Sequence, residues 1–293
     1  MDIPFEHLRT LAAAVDAGTL DRAAARLGIT PSAVSQRIRV IEQRVGRVVL
    51  RRTKPVTATE AGEPLVRLAR QLDLLEHDAR AVLGDDAGSA VVPLAVNADS
   101  LITWFLPALT AVTAAHPVTF ELHREDQERT AQLLAAGTVM AAVTSQRDAV
   151  AGCVSSPLGR MRYTAVATRG FADRWFPQGL GRAALEAAPR VDFDRHDTLQ
   201  SAFARRHGAR RDAPRHIISA SAEFAQAITI GLGWGMLLPG QFEAGVADGS
   251  LVILADDTVE VPLFWQRWNL SSPLLETVTT AVREAAERSP AVG

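Results

Sequence analysis

Nine cationic side chains gather between residues 21 and 54. Arg22, Arg26, Arg37, Arg39, Arg44, Arg47, Arg51, Arg52 and Lys54 face only Asp21 and Glu42, a net charge of +7. Guanidinium and ammonium groups at this density suit neutralisation of a nucleic-acid phosphate backbone. Ser32, Ser35 and Gln36 lie among them and add the means to read bases. Gln pairs with adenine, Arg with guanine, and a Ser hydroxyl bonds either a base or a phosphate. A second set of side chains is acidic. Asp99, Glu125, Asp126, Asp194, Asp197 and Glu223 stand at expected strand ends or helix starts, where carboxylates can hold an ammonium or guanidinium by charge-assisted hydrogen bonds. Asn97, Ser100, Thr103 and Thr144 occupy comparable positions. The helix opening at Asp99-Ser100 offers free N–H groups to an anion such as a carboxylate.

The remaining chemistry is recognition, not catalysis. The chain has no G-x-S-x-G, no H-E-x-x-H and no P-loop, and its seven histidines are scattered from His7 to His216 without metal-ligand spacing. No catalytic residue, metal site or cofactor is expected. The GLGWG segment (231–235) follows a helix and leads into a strand, the reverse of the order a dinucleotide loop needs, so it reads as a close-packed turn. Trp265 sits in an expected strand and should pack in a core. The single cysteine, Cys153, allows no internal disulfide and fits a reducing cytoplasm. Neither a basic segment preceding an apolar run at the start nor 18 uninterrupted apolar residues anywhere suggest export or a membrane.

The elements that must position these residues follow from periodicity. Phe5, Leu8, Leu11, Ala12 and Val15 form an apolar stripe on an opening helix that Gly18 ends. Ala23, Ala24 and Leu27 make a short second helix, and Gly28-Ile29 turns the chain. Thr30 then caps a third helix with Pro31 in its first position. Val34, Ile38, Ile41 and Val45 recur at 4, 3, 4 and bury one face, which leaves Ser32, Ser35, Gln36 and Arg39 pointing outward near the end a recognition helix presents to the major groove. VVLRRTKPV (48–56) reads as a wing carrying Arg51, Arg52 and Lys54 over the flanking backbone. Thr59 should cap a long helix whose Ala58, Ala61, Leu65, Leu68, Leu72, Leu75, Ala79 and Val82 follow 3, 4 spacing, the seam of a dimerising coiled coil. Two heads held this way can read two half-sites.

After a break at 84–89, strands and helices alternate: strands at 91–97, 118–123 and 139–144 with helices at 100–115 and 127–136 give a parallel βαβαβ lobe. A second set, with strands at 163–168, 190–193, 217–219 and 236–239 and helices at 182–187, 198–206 and 222–230, forms another. A strand at 261–266 and a helix at 274–287 return to the first. Residues 1–58 are expected as the DNA-binding domain, 59–84 as the linker helix and 89–293 as the ligand-binding domain. Its lobe I covers about 89–162 plus 261–293, and its lobe II about 163–260. A cleft between such lobes is a default ligand site. Charge follows the same division, with residues 1–84 at net +3 and the remainder at −5.

Each acidic candidate also has a plainer use. Asp99 and Asp126 are natural helix caps, Asp194, Asp197 and Glu223 can be solvated caps, and an Arg-rich helix can simply face water.

In this order AAARLGITPSAVSQRIRVIEQRVG (23–46), the wing with TEAG (59–62), the linker helix and GLGWGMLLP (231–239) make the chain resemble a LysR-type transcriptional regulator over nearly its whole length. SAVSQRI (32–38), LAVNADSLITWFLPAL (94–109) and REDQERT (124–130) carry a closer likeness to the branch that senses basic amino acids and controls an amino-acid exporter. The resemblance implies a winged helix-turn-helix head, a long linker helix and an α/β two-lobed, periplasmic-binding-protein-like effector domain. It also implies a homodimer or homotetramer that bends double-stranded promoter DNA, recruits RNA polymerase and answers lysine or arginine. Two alternatives stay open: a regulator of a different small effector, and an architectural or replication-associated DNA-binding protein.

Gln36→Ala should relax base preference, whereas Arg52→Ala should weaken binding to every duplex and flatten the salt dependence by about one unit of slope. Titrations of matched and scrambled duplexes over a salt series separate the two, and an unchanged slope for Arg52→Ala would remove the wing from the interface.

Overall fold

Three short helices, α1 (Phe5–Ala17), α2 (Leu20–Leu27) and α3 (Pro31–Val45), enclose the first core of the computed structural model, which describes residues 2–85, 88–124 and 127–293, without the side chains of Gln127 and Glu128. Leu8, Leu11, Ala14, Ala23, Ala24, Val34, Ile38 and Ile41 meet there. The expected stripes therefore face inward, with Phe5, Val15, Leu27 and Val45 only partly covered at their ends. Strands β1 (Leu50–Arg51) and β2 (Thr57–Ala58) pair antiparallel, Leu50 opposite Ala58, and form the wing.

Helix α4 (Glu63–Leu83) begins four residues later than its expected cap. Pro64 lies in its first turn, where the missing N–H is harmless. Thr59 instead closes the turn ahead of the helix: its hydroxyl donates to the Val48 carbonyl at 2.7 Å and accepts from the Gly62 N–H at 3.2 Å. The expected seam is accordingly split. Ala58 and Ala61 lie outside the helix, and Leu65 joins Val66 and Ala69 in the head core. Leu68, Leu75 and Val82, seven residues apart, remain 37%, 37% and 82% exposed.

The chain divides into two compact units. One holds Met1–Asn97, Leu109–Ser156 and Trp265–Ala281; the other holds Ala98–Ala108, Pro157–Phe264 and Val282–Gly293. In the first, β3 (Ala90–Val96), β4 (Val118–Arg124) and β5 (Ala141–Thr144) are parallel in the order β4-β3-β5. The expected helix at 100–115 is built from α5 (Ala98–Ser100), a π-helical turn (Leu101–Phe105) and α6 (Leu106–Ala115). By length and composition this run could cross a membrane. Ser100, Trp104, Phe105, Ala108, Leu109 and Val112 are buried along one stripe of it, the pattern of a core helix. Helix α7 (Gln127–Ala135) packs on β3 and β5 through Leu133 and Leu134, beside Ala95, Val139 and Ala142.

Strand β6 (Cys153–Thr168) runs ten residues further back than expected. Helices α8 (Arg169–Trp175) and α9 (Arg182–Ala187), strand β7 (Arg190–Asp192), helix α10 (Leu199–Arg206), strand β8 (Arg215–Ile217), helix α11 (Ser221–Thr229), strand β9 (Gly235–Leu237) and helix α12 (Glu243–Ala247) follow. Strand β10 (Leu251–Trp268) and helix α13 (Pro273–Arg288) complete the chain. Strand β6 lies between β10 and β9, antiparallel to β9, while β7 and β8 are parallel with Asp192 opposite Ile217. Pro157 and Gly159 in β6, and Asp256 and Asp257 in β10, look like strand breakers but lie within long strands. Glu260 of β10 meets Arg160 at 3.2 Å and Arg162 at 3.5 Å, a cross-strand charge match that suits an exposed sheet face. Trp265 is buried and donates to Thr279 at 3.1 Å. Trp234 is fully buried too, its N–H on the Pro189 carbonyl and its own carbonyl on the Val191 N–H, so GLGWG is a close-packed turn.

Gly62 is the tightest junction between wing and linker, because a Cβ there would lie 2.0 Å from the Val49 carbonyl oxygen. Gly62→Ala should therefore cost about 1–3 kcal/mol, the usual range for overpacking, and urea unfolding of the full chain measures it.

Candidate functional site

The candidate nucleic-acid surface is assembled from α2, α3 and the wing. Thr19 caps α2 through the Arg22 N–H, and Thr30 caps α3 through the Ala33 N–H at 3.2 Å while sharing a 2.9 Å bond with the Ser32 hydroxyl. Thr30 is thus committed to the cap, and Pro31 starts the helix. Val34, Ile38 and Ile41 fix the inner face, which leaves Ser32, Gln36 and Arg39 exposed and Ser35 at the margin. Arg51, Arg52 and Lys54 are exposed on the wing. Among the described residues, Arg22, Arg39, Arg47, Arg51, Arg52 and Lys54 form no ion pair, so their charge is available to phosphates.

Arg37 differs from its neighbours. Its guanidinium donates to the Thr10 hydroxyl at 3.1 Å and to Glu6 at 3.2 Å, and its side chain is 27% exposed. It ties α3 to α1 and is not presented with Arg39.

The acidic candidates separate in the same manner. In the second unit, Asp99 accepts a 2.6 Å hydrogen bond from the hydroxyl of Tyr163, the chain's single tyrosine. Burial raises the Asp99 pKa, the Tyr163 bond opposes that, and the nearby charge of Asp197 adds to it. Asp197 is also raised by burial, against the N–H bonds it accepts from Phe193 (2.8 Å) and Leu199 (3.0 Å), with Asp192 pushing it further. The Tyr163 hydroxyl is held well above its ordinary range by burial and by Asp99. Asp192 is fully buried as well but is answered by Arg190 at 2.9 Å and Arg215 at 3.6 Å. Among the described residues, neither Asp99 nor Asp197 has a cation as partner. Two part-buried carboxylates, one of which feels the other's charge, can hold an ammonium or a guanidinium.

The other candidates do not join them. Ser100 is fully buried with its hydroxyl toward the Met161 sulfur at 3.8 Å, and the Thr103 hydroxyl is spent on the Asp99 carbonyl at 2.6 Å. A helix start occupied by Asp99 favours a cation over the α-carboxylate expected there. Asp194 closes a local turn by accepting the N–H groups of His196 and Asp197, and Glu223 is exposed in the first turn of α11. In the first unit, the Thr144 hydroxyl caps the Gln146 N–H, while the buried Asn97 Oδ1 has no hydrogen-bond partner among the described residues. Glu125 and Asp126 lie outside the described residues. No group of His, Cys, Asp and Glu that could hold a metal occurs among the described residues. Tyr163 was missed by sequence reasoning, and its being the sole tyrosine was the available signal.

Comparison with known proteins follows the same two parts. Residues 5–63 match the profile of the bacterial regulatory helix-turn-helix protein, lysR family, and residues 88–287 that of the LysR substrate binding domain. The chain is 43% identical over 283 residues to the HTH-type transcriptional regulator LysG of Mycobacterium tuberculosis, covering 96% of this chain and 92% of that protein. It is 40% identical over 285 residues to the lysine export transcriptional regulatory protein LysG of Corynebacterium glutamicum, covering 96% and 97%. Among solved structures, ArgP from Mycobacterium tuberculosis superposes with a TM-score of 0.87 at 43% identity, over 96% of this chain and 97% of that one. Full-length LysG from Corynebacterium glutamicum with bound effector Arg gives 0.80 at 38% identity, over 98% and 99%.

The raised carboxylates have a signed consequence. Above the ordinary carboxylate pKa of about 4, the unfolded chain has released protons that folded Asp99 and Asp197 still hold, so stability should fall as pH rises through that window. Thermal unfolding between about pH 4 and 7 should show this decline, and Asp99→Asn together with Asp197→Asn should flatten it.

Proposed function

Because the chain belongs to the LysR family of bacterial helix-turn-helix regulators, we propose that it is a cytoplasmic transcriptional regulator that binds duplex DNA and senses a basic amino acid, arginine or lysine, to control its export. The observation that carries the effector assignment is that Asp99 and Asp197 are part-buried carboxylates without a cation as partner among the described residues. A bound guanidinium or ammonium supplies that missing charge. A relative of 38% identity, solved with bound effector Arg, supports the same class of ligand.

The head supplies the DNA contact. Arg51, Arg52 and Lys54 neutralise phosphates and set the register, while Ser32, Ser35, Gln36 and Arg39 reach base edges. The exposed stripe of Leu68, Leu75 and Val82 on α4 packs against the same stripe of a second copy, so that two heads address two half-sites. Effector binding then biases how those heads sit on DNA, because a ligand shifts an equilibrium only by its differential affinity for the states involved. The gene it controls encodes an amino-acid exporter in this reading, by kinship with the lysine export regulator.

Calorimetry of the full chain with L-arginine, L-lysine, L-glutamate and an aromatic acid tests the reading. Saturable heat is expected with the basic pair alone, strengthening as pH rises and the two carboxylates ionise. Asp99→Asn should weaken it by about tenfold or more, the usual worth of a charged hydrogen bond. Preference for glutamate or the aromatic acid would overturn the cation assignment, and an unchanged arginine affinity in Asp99→Asn would clear Asp99.

A further inference from the structure

Helix α4 carries two arginines that join segments far apart in the chain. Arg70 is 12% exposed; its Nη1 donates to the Gly137 carbonyl at 2.5 Å, and its Nη2 pairs with Asp16 Oδ1. The second oxygen of Asp16 lies 3.7 Å from Arg26 Nη1. One helical turn away, Arg67 donates to the Ala151 carbonyl at 3.1 Å. Asp16 ends α1, Arg26 belongs to α2, and Gly137 turns the chain between α7 and β5. The contacts therefore run without interruption from the helix-turn-helix, across the linker, to the β5 side of the effector region, all inside the first compact unit.

The close approach is specific to the residues present. Gly137 has φ +70°, and a Cβ there would stand 2.5 Å from the Cβ of Arg67. Only glycine lets the turn come near enough for its carbonyl to receive Arg70. An arginine so enclosed has lost most of its hydration and depends on those two acceptors. Moving the Gly137 carbonyl away would leave the guanidinium half satisfied and loosen its hold on Asp16. Coupling between distant sites needs such an element, whose arrangement both sites can bias.

We propose that Arg70 is the positioning residue that passes the state of the effector region to the DNA-binding head, a role that rests on the DNA and basic-amino-acid reading above. It touches neither DNA nor effector. Arg67 and Gly137 set the distance at which it works.

The test uses the full chain, L-arginine, and a duplex selected from random-sequence DNA by the wild-type protein. Arg70→Met keeps the apolar stem and removes the forked donor; Gly137→Ala spoils the approach without changing charge. Both should bind L-arginine within about twofold of wild type while losing at least about fivefold of the arginine-induced change in duplex affinity, the low end of typical couplings. An undiminished change in Arg70→Met overturns the proposal. If arginine has no effect on the wild type, the basic-amino-acid reading fails and the passing of that signal fails with it, while a distance measurement still decides whether Arg70 positions the head. Spin labels at positions 25 and 114, both exposed, in a Cys153→Ser background diluted with unlabelled chain, should report a narrow distance distribution that broadens in Arg70→Met. An unaltered distribution overturns the proposal equally.

Discussion

Burial of one face of α4 against α1, which in turn packs on α2 and α3, is the constraint on which the head depends. Leu65, Val66 and Ala69 are 6%, 1% and 0% exposed and complete a core that α1, α2 and α3 leave open. Fully burying a leucine or valine side chain contributes about 1.5–3 kcal/mol, so even these few residues matter to a core of this size. Arg9 reinforces the packing from α1, with Asp73 at 2.5 Å and Glu76 at 3.1 Å. The aim of α3 therefore follows from a helix that begins 18 residues after α3 ends. Gly62 and the Thr59 hydroxyl set the angle at which the chain leaves the wing, and so belong to the same constraint.

Charge is handled by one rule with two outcomes. A charged group withdrawn from water needs a partner or a shifted pKa, whereas one left in water needs neither. Asp192 meets the demand with Arg190 and Arg215. Asp99 and Asp197 meet it by holding their protons more tightly, with Tyr163 and backbone N–H groups as partial compensation. On the head, Arg39, Arg51, Arg52 and Lys54 stay solvated at little cost until a polyanion displaces their counter-ions. The protein thus leaves the head's cations in water and withdraws these carboxylates from it.

What could be read from the residues divides along local and non-local lines. Helix α3 was legible because its cap, its proline and its 4, 3, 4 apolar spacing all lie within 16 residues. The parallel order of β3, β4 and β5 was legible for a similar reason, since strand and helix periods alternate cleanly there. The separation of Arg37 from Arg39 was not, because Thr10 and Glu6 lie 27 and 31 residues away. Nor was Tyr163, whose partner Asp99 is 64 residues distant, or the burial of Ser100 against Met161. Strands β6 and β10 were cut short because proline, glycine and aspartate mark turns in isolation, while pairing with neighbouring strands overrides them. Local misses remain as well: α4 starts late, at the first turn that Pro64 marks and not behind Thr59, and the short helices α8 and α12 were not expected.

The stripe of Leu68, Leu75 and Val82 carries a consequence for how robust the protein is in a cell. In the dimer proposed above, a helix that closes its own head with one side and offers leucines to a twin with the other makes resistance to heat a matter of mass action. Diluting the chain should lower its melting temperature, since whatever binds the folded form alone stabilises it in proportion to its abundance. Its expression level would then set both how much DNA is occupied and how long each copy survives.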